Sequence, residues 1–173
     1  MNLCEIIVAP HPDDEAIGCH GLFNQARDGR SIEVQVLYLD VPSEERLEEA
    51  RGWCARYGVP WAHRTGEPIE DFLRHHISGR DVRVWAPDPH WELHPLHKRA
   101  GALALMVAQE KSCRFGTYST NMSAPYIQEL PRYRRESKRE MLDFHYPSQK
   151  SLWANDHRYF LFEGRTEWNP PLS

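Results

Sequence analysis

Residues 1–173 are expected to form one α/β domain, a mostly parallel sheet with helices on both faces. Two observations predict this class. Short apolar runs alternate along the chain with segments of helical periodicity, the pattern of βαβ units. The 173 residues are also one domain of ordinary size, with no repeat, low-complexity tract or Gly/Ser linker to divide them.

The apolar run 6–9 opens the pattern as a buried strand. Residues 15–28 follow as a helix, with Ile17, Leu22, Phe23 and Ala26 able to share a face and Gly29 placed to stop it. Residues 31–39, rich in Val, Ile and Leu, form the second strand. A helix over 43–57 opens on Ser43 as N-cap and ends at Gly58. A weaker strand (59–64), a short helix (68–77) with Pro68 in its first turn, and the strand VRVWA (82–86) come next. Residues 96–109 form a helix that is apolar around much of its surface, so it is expected to be well buried. A strand at 115–120, a helix at 134–145 and a last apolar run at 159–162 complete the pattern.

Composition excludes some functions and leaves others open. A formal net charge of -4 gives no reason to expect nucleic acid or an anionic membrane as partner. The sequence has no visible secretion signal and no apolar stretch near the ~18 residues of a membrane helix. Cys4, Cys19, Cys54 and Cys113 are scattered without a C-x-x-C pair. They read as reduced, mostly buried thiols of a cytoplasmic protein. Oligomeric state leaves no mark in the sequence.

In parallel sheets ligands bind beyond the carboxyl ends of the strands. Two polar clusters fall there: His11-Pro-Asp13-Asp14-Glu15 after the first strand, and HWELHPLH, with His94 and His97, after VRVWA. His94 and His97 are three apart at a helix start and can share a face. Two imidazoles and a carboxylate around one point suit zinc with an open coordination position. Asp13 would then point away from the ligands and be free to handle the proton of a bound water. A plainer role competes: acids at a helix start also satisfy free N–H groups and the helix dipole. His11-x-Asp13 with a distant histidine also spells the two-His-one-carboxylate pattern of iron(II) enzymes, which commonly occupy all-β scaffolds.

PHPDDEAIG with the downstream HPLHKRAG resembles the LmbE-like, PIG-L type N-deacetylase family (GlcNAc-PI de-N-acetylases). ERLEEARGWCARYGV and KREMLDFHYPSQ are similar to two further segments of that family, so the likeness spans roughly residues 4–150. It implies a Rossmann-like fold and zinc-dependent removal of an N-acetyl group from an N-acetylglucosamine-type sugar; other divalent ions are possible. By the same resemblance His11, Asp14 and His97 would be the metal ligands. Asp13 would be the general base, and His94 the acid or an oxyanion donor. Glu15 would support the ligands or the helix cap, and is also a candidate substrate contact. The family's H-x-D-H has an acid where this chain has Leu96, so His94 lacks that carboxylate; Asp88 and Glu92 are nearby substitutes. That departure keeps open a non-catalytic binding module on the same fold.

Other residues invite attention. Trp91, Tyr118 and Asn121 lie past candidate strands and could reach a substrate. His20 is expected to be packed, and His75 and His76 to close a helix. Arg132, Arg134, Arg135, Lys138 and Arg139 form a basic run, by default a solvated helix face, with a phosphate contact as the alternative.

Overall fold

A computed structural model describes residues 3–29, 32–78, 81–121, 124–154, 156 and 158–168. The chain runs β1 (Leu3–Ala9), α1 (Asp14–Arg27), β2 (Ile32–Tyr38), α2 (Glu44–Tyr57), β3 (Trp61–His63), α3 (Ile69–His76) and β4 (Val82–Pro87). It continues α4 (Pro95–Glu110), β5 (Arg114–Ser119), β6 (Ile127–Glu129), α5 (Arg132–His145), α6 (Lys150–Ala154), α7 (Arg158–Leu161) and β7 (Phe162–Trp168). Ser31, where the sequence starts the second strand, lies outside the described residues. The α/β class holds. Sheet order is β3-β2-β1-β4-β5-β7-β6, parallel from β3 to β5. β7 runs antiparallel to both β5 and β6.

Both faces of the sheet are covered because both are apolar. In β1, Ile7 and Ala9 join a cluster with Phe23 of α1, Trp53 of α2 and Leu142 of α5. Ile6 and Val8, one position out of step, join Phe72 of α3 and Ala104 and Val107 of α4. A continuous apolar strand with period-2 side chains must bury both sets.

The expectation that α4 is well buried, being apolar around much of its surface, is corrected to one buried face. Ala100, Gly101, Ala104, Val107 and Ala108 are buried along one stripe, while Lys98, Arg99 and Ala102 are exposed. Gly101 sits so close to the end of β4 that a Cβ there would lie 2.0 Å from the Pro87 carbonyl oxygen. The last apolar run divides between α7 and the start of β7.

The chain leaves β1 for β2 and β3 on one side, then crosses back to β4 on the other. The loops after β1 and β4 therefore flank a topological switch point, where such sheets open a crevice.

Candidate metal centre

Three donor atoms meet in that crevice. His97 Nε2 lies 3.3 Å from Asp14 Oδ2 and 3.3 Å from His11 Nδ1, and His11 Nδ1 lies 3.4 Å from the same Asp14 oxygen. His11, Asp14 and His97 form a group that could hold a metal ion. Bonds of about 2.0–2.1 Å to a four-coordinate ion separate neighbouring ligand atoms by about 3.3–3.4 Å, so the triangle has the size such an ion needs. Each imidazole also has a carboxylate at its far nitrogen: Glu92 lies 3.2 Å from His97 Nδ1, and Asp40 lies 3.9 Å from His11 Nε2. Carboxylates behind ligating histidines are the usual supporting shell.

The electrostatics of the cluster favour a cation. Burial opposes charge on His97, yet Asp14 and Glu92 outweigh it and push its pKa up to about 10. Burial opposes charge on Asp14 too, but His97 and His11 hold its carboxyl well below the usual range. A metal ion would compete with the His97 proton for the same negative field.

The β1–α1 loop owes its shape to buried polar contacts. The Asp14 carboxylate accepts the His11 N–H at 2.8 Å. Asp13 has φ +105°, a strained value for a residue with a side chain. Glu15 accepts the Asp13 N–H at 3.1 Å and is itself bonded by the Tyr146 hydroxyl. Arg46 of α2 lies 3.1 Å from Asp13 Oδ1 and 3.0 Å from Glu49. Ser148 donates to Glu49 through its N–H (2.8 Å) and its hydroxyl (2.7 Å). Burial, and then the neighbouring Asp14, push the Asp13 pKa well up against the pull of Arg46.

On the other side, His94 caps α4: its Nδ1 accepts the Leu96 N–H at 3.3 Å, which leaves its proton on Nε2. Its ring centroid is 5.2 Å from that of His11 and 5.0 Å from that of His97. Loss of hydration beside the cluster, and then the charges of His97 and His11, lower its pKa, outweighing Asp14 and Glu92. The candidate substitute acids are engaged elsewhere. Glu92 holds His97 and accepts from the N–H (2.6 Å) and hydroxyl (2.9 Å) of Thr120. Asp88 accepts from His90, Thr117 and Tyr126.

A cavity of about 720 Å³ opens over the cluster, with His11, Asp13, Asp14, His94 and His97 among the residues that line it. Asn121 also lines it, and its side-chain amide is tied to the Trp91 carbonyl. Leu93 and Leu152 stand exposed at its rim.

Three predicted substrate contacts are corrected. Tyr118 is fully buried and donates to the Val8 carbonyl at 2.8 Å; its ring fills the space beside Gly18, where a Cβ would lie 2.2 Å away. Glu15 is likewise fully buried and holds the loop rather than a ligand. Trp91 is exposed and contributes its backbone, not a cavity wall. Lys138 leaves the basic run's solvated face altogether and is fully buried. The His11-x-Asp13 spacing does not supply the donor set either, because Asp14 completes it and Asp13 faces Arg46. His20 is packed, and burial lowers its pKa to about 3. His75 and His76 end α3. Arg46, Thr120, Tyr146 and Ser148 were not singled out from the sequence; Arg46, Tyr146 and Ser148 carried a signal, within the segments similar to the family, and Thr120 carried none.

Fold and site together define the class: a mostly parallel α/β protein with a group able to hold a metal ion at its switch point. No protein-family model matches the sequence, and no curated protein is significantly similar to it. Among solved structures, it is similar to the conserved protein TT1542 from Thermus thermophilus, with a TM-score of 0.67 and 18% identity over 100% of this chain and 97% of that one. At that identity the likeness shows the fold.

Proposed function

We propose that the protein is a metal-dependent hydrolase that removes the N-acetyl group from an N-acetylglucosamine-type sugar or sugar conjugate. The observation that carries this reading is the His11–Asp14–His97 triangle with a second carboxylate, Asp13, beside it in the same cavity. A ligand set with a spare acid is more than a binding module needs. A divalent ion held there, zinc by the resemblance, would polarise the amide carbonyl and acidify water.

The chain's own groups do the rest. Asp13, made more basic by burial, takes the proton of the attacking water as oxygen bonds to the amide carbon. Arg46 keeps that carboxylate in place. His94 carries its proton on Nε2 and, being readily neutral, donates a hydrogen bond to the developing oxyanion. The C–N bond then breaks, the nitrogen receives the proton held by Asp13, and acetate and a free amine leave. The cavity is larger than one acetamido group requires, which suits a sugar and its substituent.

Acetate release from a panel of N-acetylglucosamine conjugates, with zinc, manganese or iron(II) added to metal-free protein, tests the reading. Asp13→Asn should keep the metal and lose about 10²–10⁴-fold in rate. Loss of metal in that variant would mean that the two aspartates have exchanged roles. No acetate from any conjugate with any ion would overturn the activity.

A further inference from the structure

Helix α1 bends one turn after the metal-binding loop. Cys19 leaves the helical region, with φ -129° and ψ 16°. A straight helix would pair the Gly21 N–H with the Ile17 carbonyl. Here each has found another partner. The Gly21 N–H donates to both oxygens of Glu163, at 3.1 Å each. The Ile17 carbonyl accepts from Lys138 Nζ, which also donates to the Phe162 carbonyl at 2.9 Å. Lys138 comes from α5 and Glu163 from β7, 121 and 142 positions away from their α1 partners.

We propose that Lys138 and Glu163 are positioning residues for the metal centre: they hold the break in α1 open, and so fix the direction in which its first turn presents Asp14 and Ile17 to the cavity. Lys138 is fully buried and Glu163 nearly so. Burying an ammonium group costs far more than burying the methionine that could fill its place. A straight helix would need neither group, and sharp bends have identifiable causes. The costly arrangement lies three residues from a ligand, and Ile17, whose carbonyl Lys138 holds, itself lines the cavity. Lys138 is held there with its charge opposed: burial lowers its pKa to about 8, against the pull of Glu163.

The proposal rests on His11, Asp14 and His97 being metal ligands, and its test separates the two claims. Cobalt(II) is titrated into metal-free, full-length wild type, Lys138→Met, Glu163→Ala and Glu163→Gln, with visible absorption, far-UV circular dichroism and amide exchange as readouts. Lys138→Met and Glu163→Ala should weaken cobalt binding about 10–100-fold, as loss of supporting contacts does, and alter the absorption bands. Glu163→Gln keeps an acceptor for the Gly21 N–H and should stay near wild type. Amides 14–21 should exchange faster in Glu163→Ala while α2 keeps its protection. Wild-type affinity and spectrum in both Lys138→Met and Glu163→Ala, with the fold retained, would overturn the proposal. Should Lys138→Met fail to fold, the Glu163 pair decides alone. If the wild type itself binds no cobalt, the ligand assignment has failed; unchanged exchange across 14–21 in Glu163→Ala would then overturn the clamp as well.

Discussion

The two loops that meet at the cavity are held in opposite ways. After β1, Asp13, Asp14 and Glu15 are buried, the backbone is strained at Asp13, and Arg46, Tyr146 and the Asp14 carboxylate brace it. After β4, Asp88, Glu92 and His97 are buried and hydrogen-bonded, but Trp91, Leu93, His94 and Pro95 between and beside them are exposed. The first loop carries two of the three donor atoms. The second carries the third, together with His94 and the exposed rim at Leu93. Rigid placement suits ligands that must hold about 0.5 Å tolerances; exposed, lightly bonded backbone suits contact with a substrate.

Four expectations test that contrast, largest first. Asp14→Ala should remove the metal and also unlace the first loop, since the same carboxylate holds the His11 N–H. His97→Ala should remove the metal without disturbing that loop. Elemental analysis with amide exchange over 10–15 separates the two, and full metal occupancy in either variant would break the ligand assignment.

Arg46→Met strands Asp13 and Glu49 as buried carboxylates, so urea unfolding should show a loss of about 3–5 kcal/mol. Leu93→Ala on the exposed loop should cost within about 0.5 kcal/mol. Equal losses would erase the contrast between the loops.

Acid–base stability offers a third test. Burial raises the Glu15 pKa from 4.5 to about 7. Between those values the folded metal-free protein holds a proton that the unfolded chain has released. Stability from this group is therefore full below pH 4.5 and falls as pH rises through 7, by about 3 kcal/mol. Glu15→Gln should flatten that part of the profile; an unchanged slope would sink the assignment.

The smallest effect belongs to the exposed loop. Leu96→Asp should raise the pKa of His94, read by NMR titration of its ring, since a nearby negative charge favours the imidazolium. The alkaline limb of the kcat/KM profile should stay in place, because neutral His94 already carries its donating proton on Nε2. A limb that moves upward, and only while His94 is present, would show that His94 acts as the imidazolium instead.

The sequence made the parallel half of the fold legible because β1 to β5 and the helices between them carry strong local patterns. β7 (FEGRTEW) does not read as an apolar strand, and β6 has three residues, so the antiparallel end left no periodic signal. The site followed the same divide. His11 and Asp14 follow the end of β1 and His97 lies in the first turn of α4, places that local pattern locates. Lys138 looked solvated because its neighbours in sequence are charged, whereas its partners are backbone carbonyls far along the chain. Tyr118 looked accessible because it nears a strand end; the missing side chain of Gly18, a hundred residues earlier, gives its ring a buried place. Arg46 stood out only within a helix segment similar to the family, because Asp13, the partner that gives it a place at the cavity, lies on the preceding βα unit.

The bend in α1 also bears on the order in which the molecule can assemble. Helix α1 is among the first elements a growing chain would complete, yet the groups that satisfy its broken turn arrive only with α5 and β7. Until residue 163 has been made and β7 has paired against β5, the Gly21 N–H and the Ile17 carbonyl have only water or each other. Contacts of such sequence separation form late, because a long loop must close first. During that interval α1 is free to run straight. The final bend is therefore a late folding event, set by the last strand the chain supplies rather than by the helix that contains it.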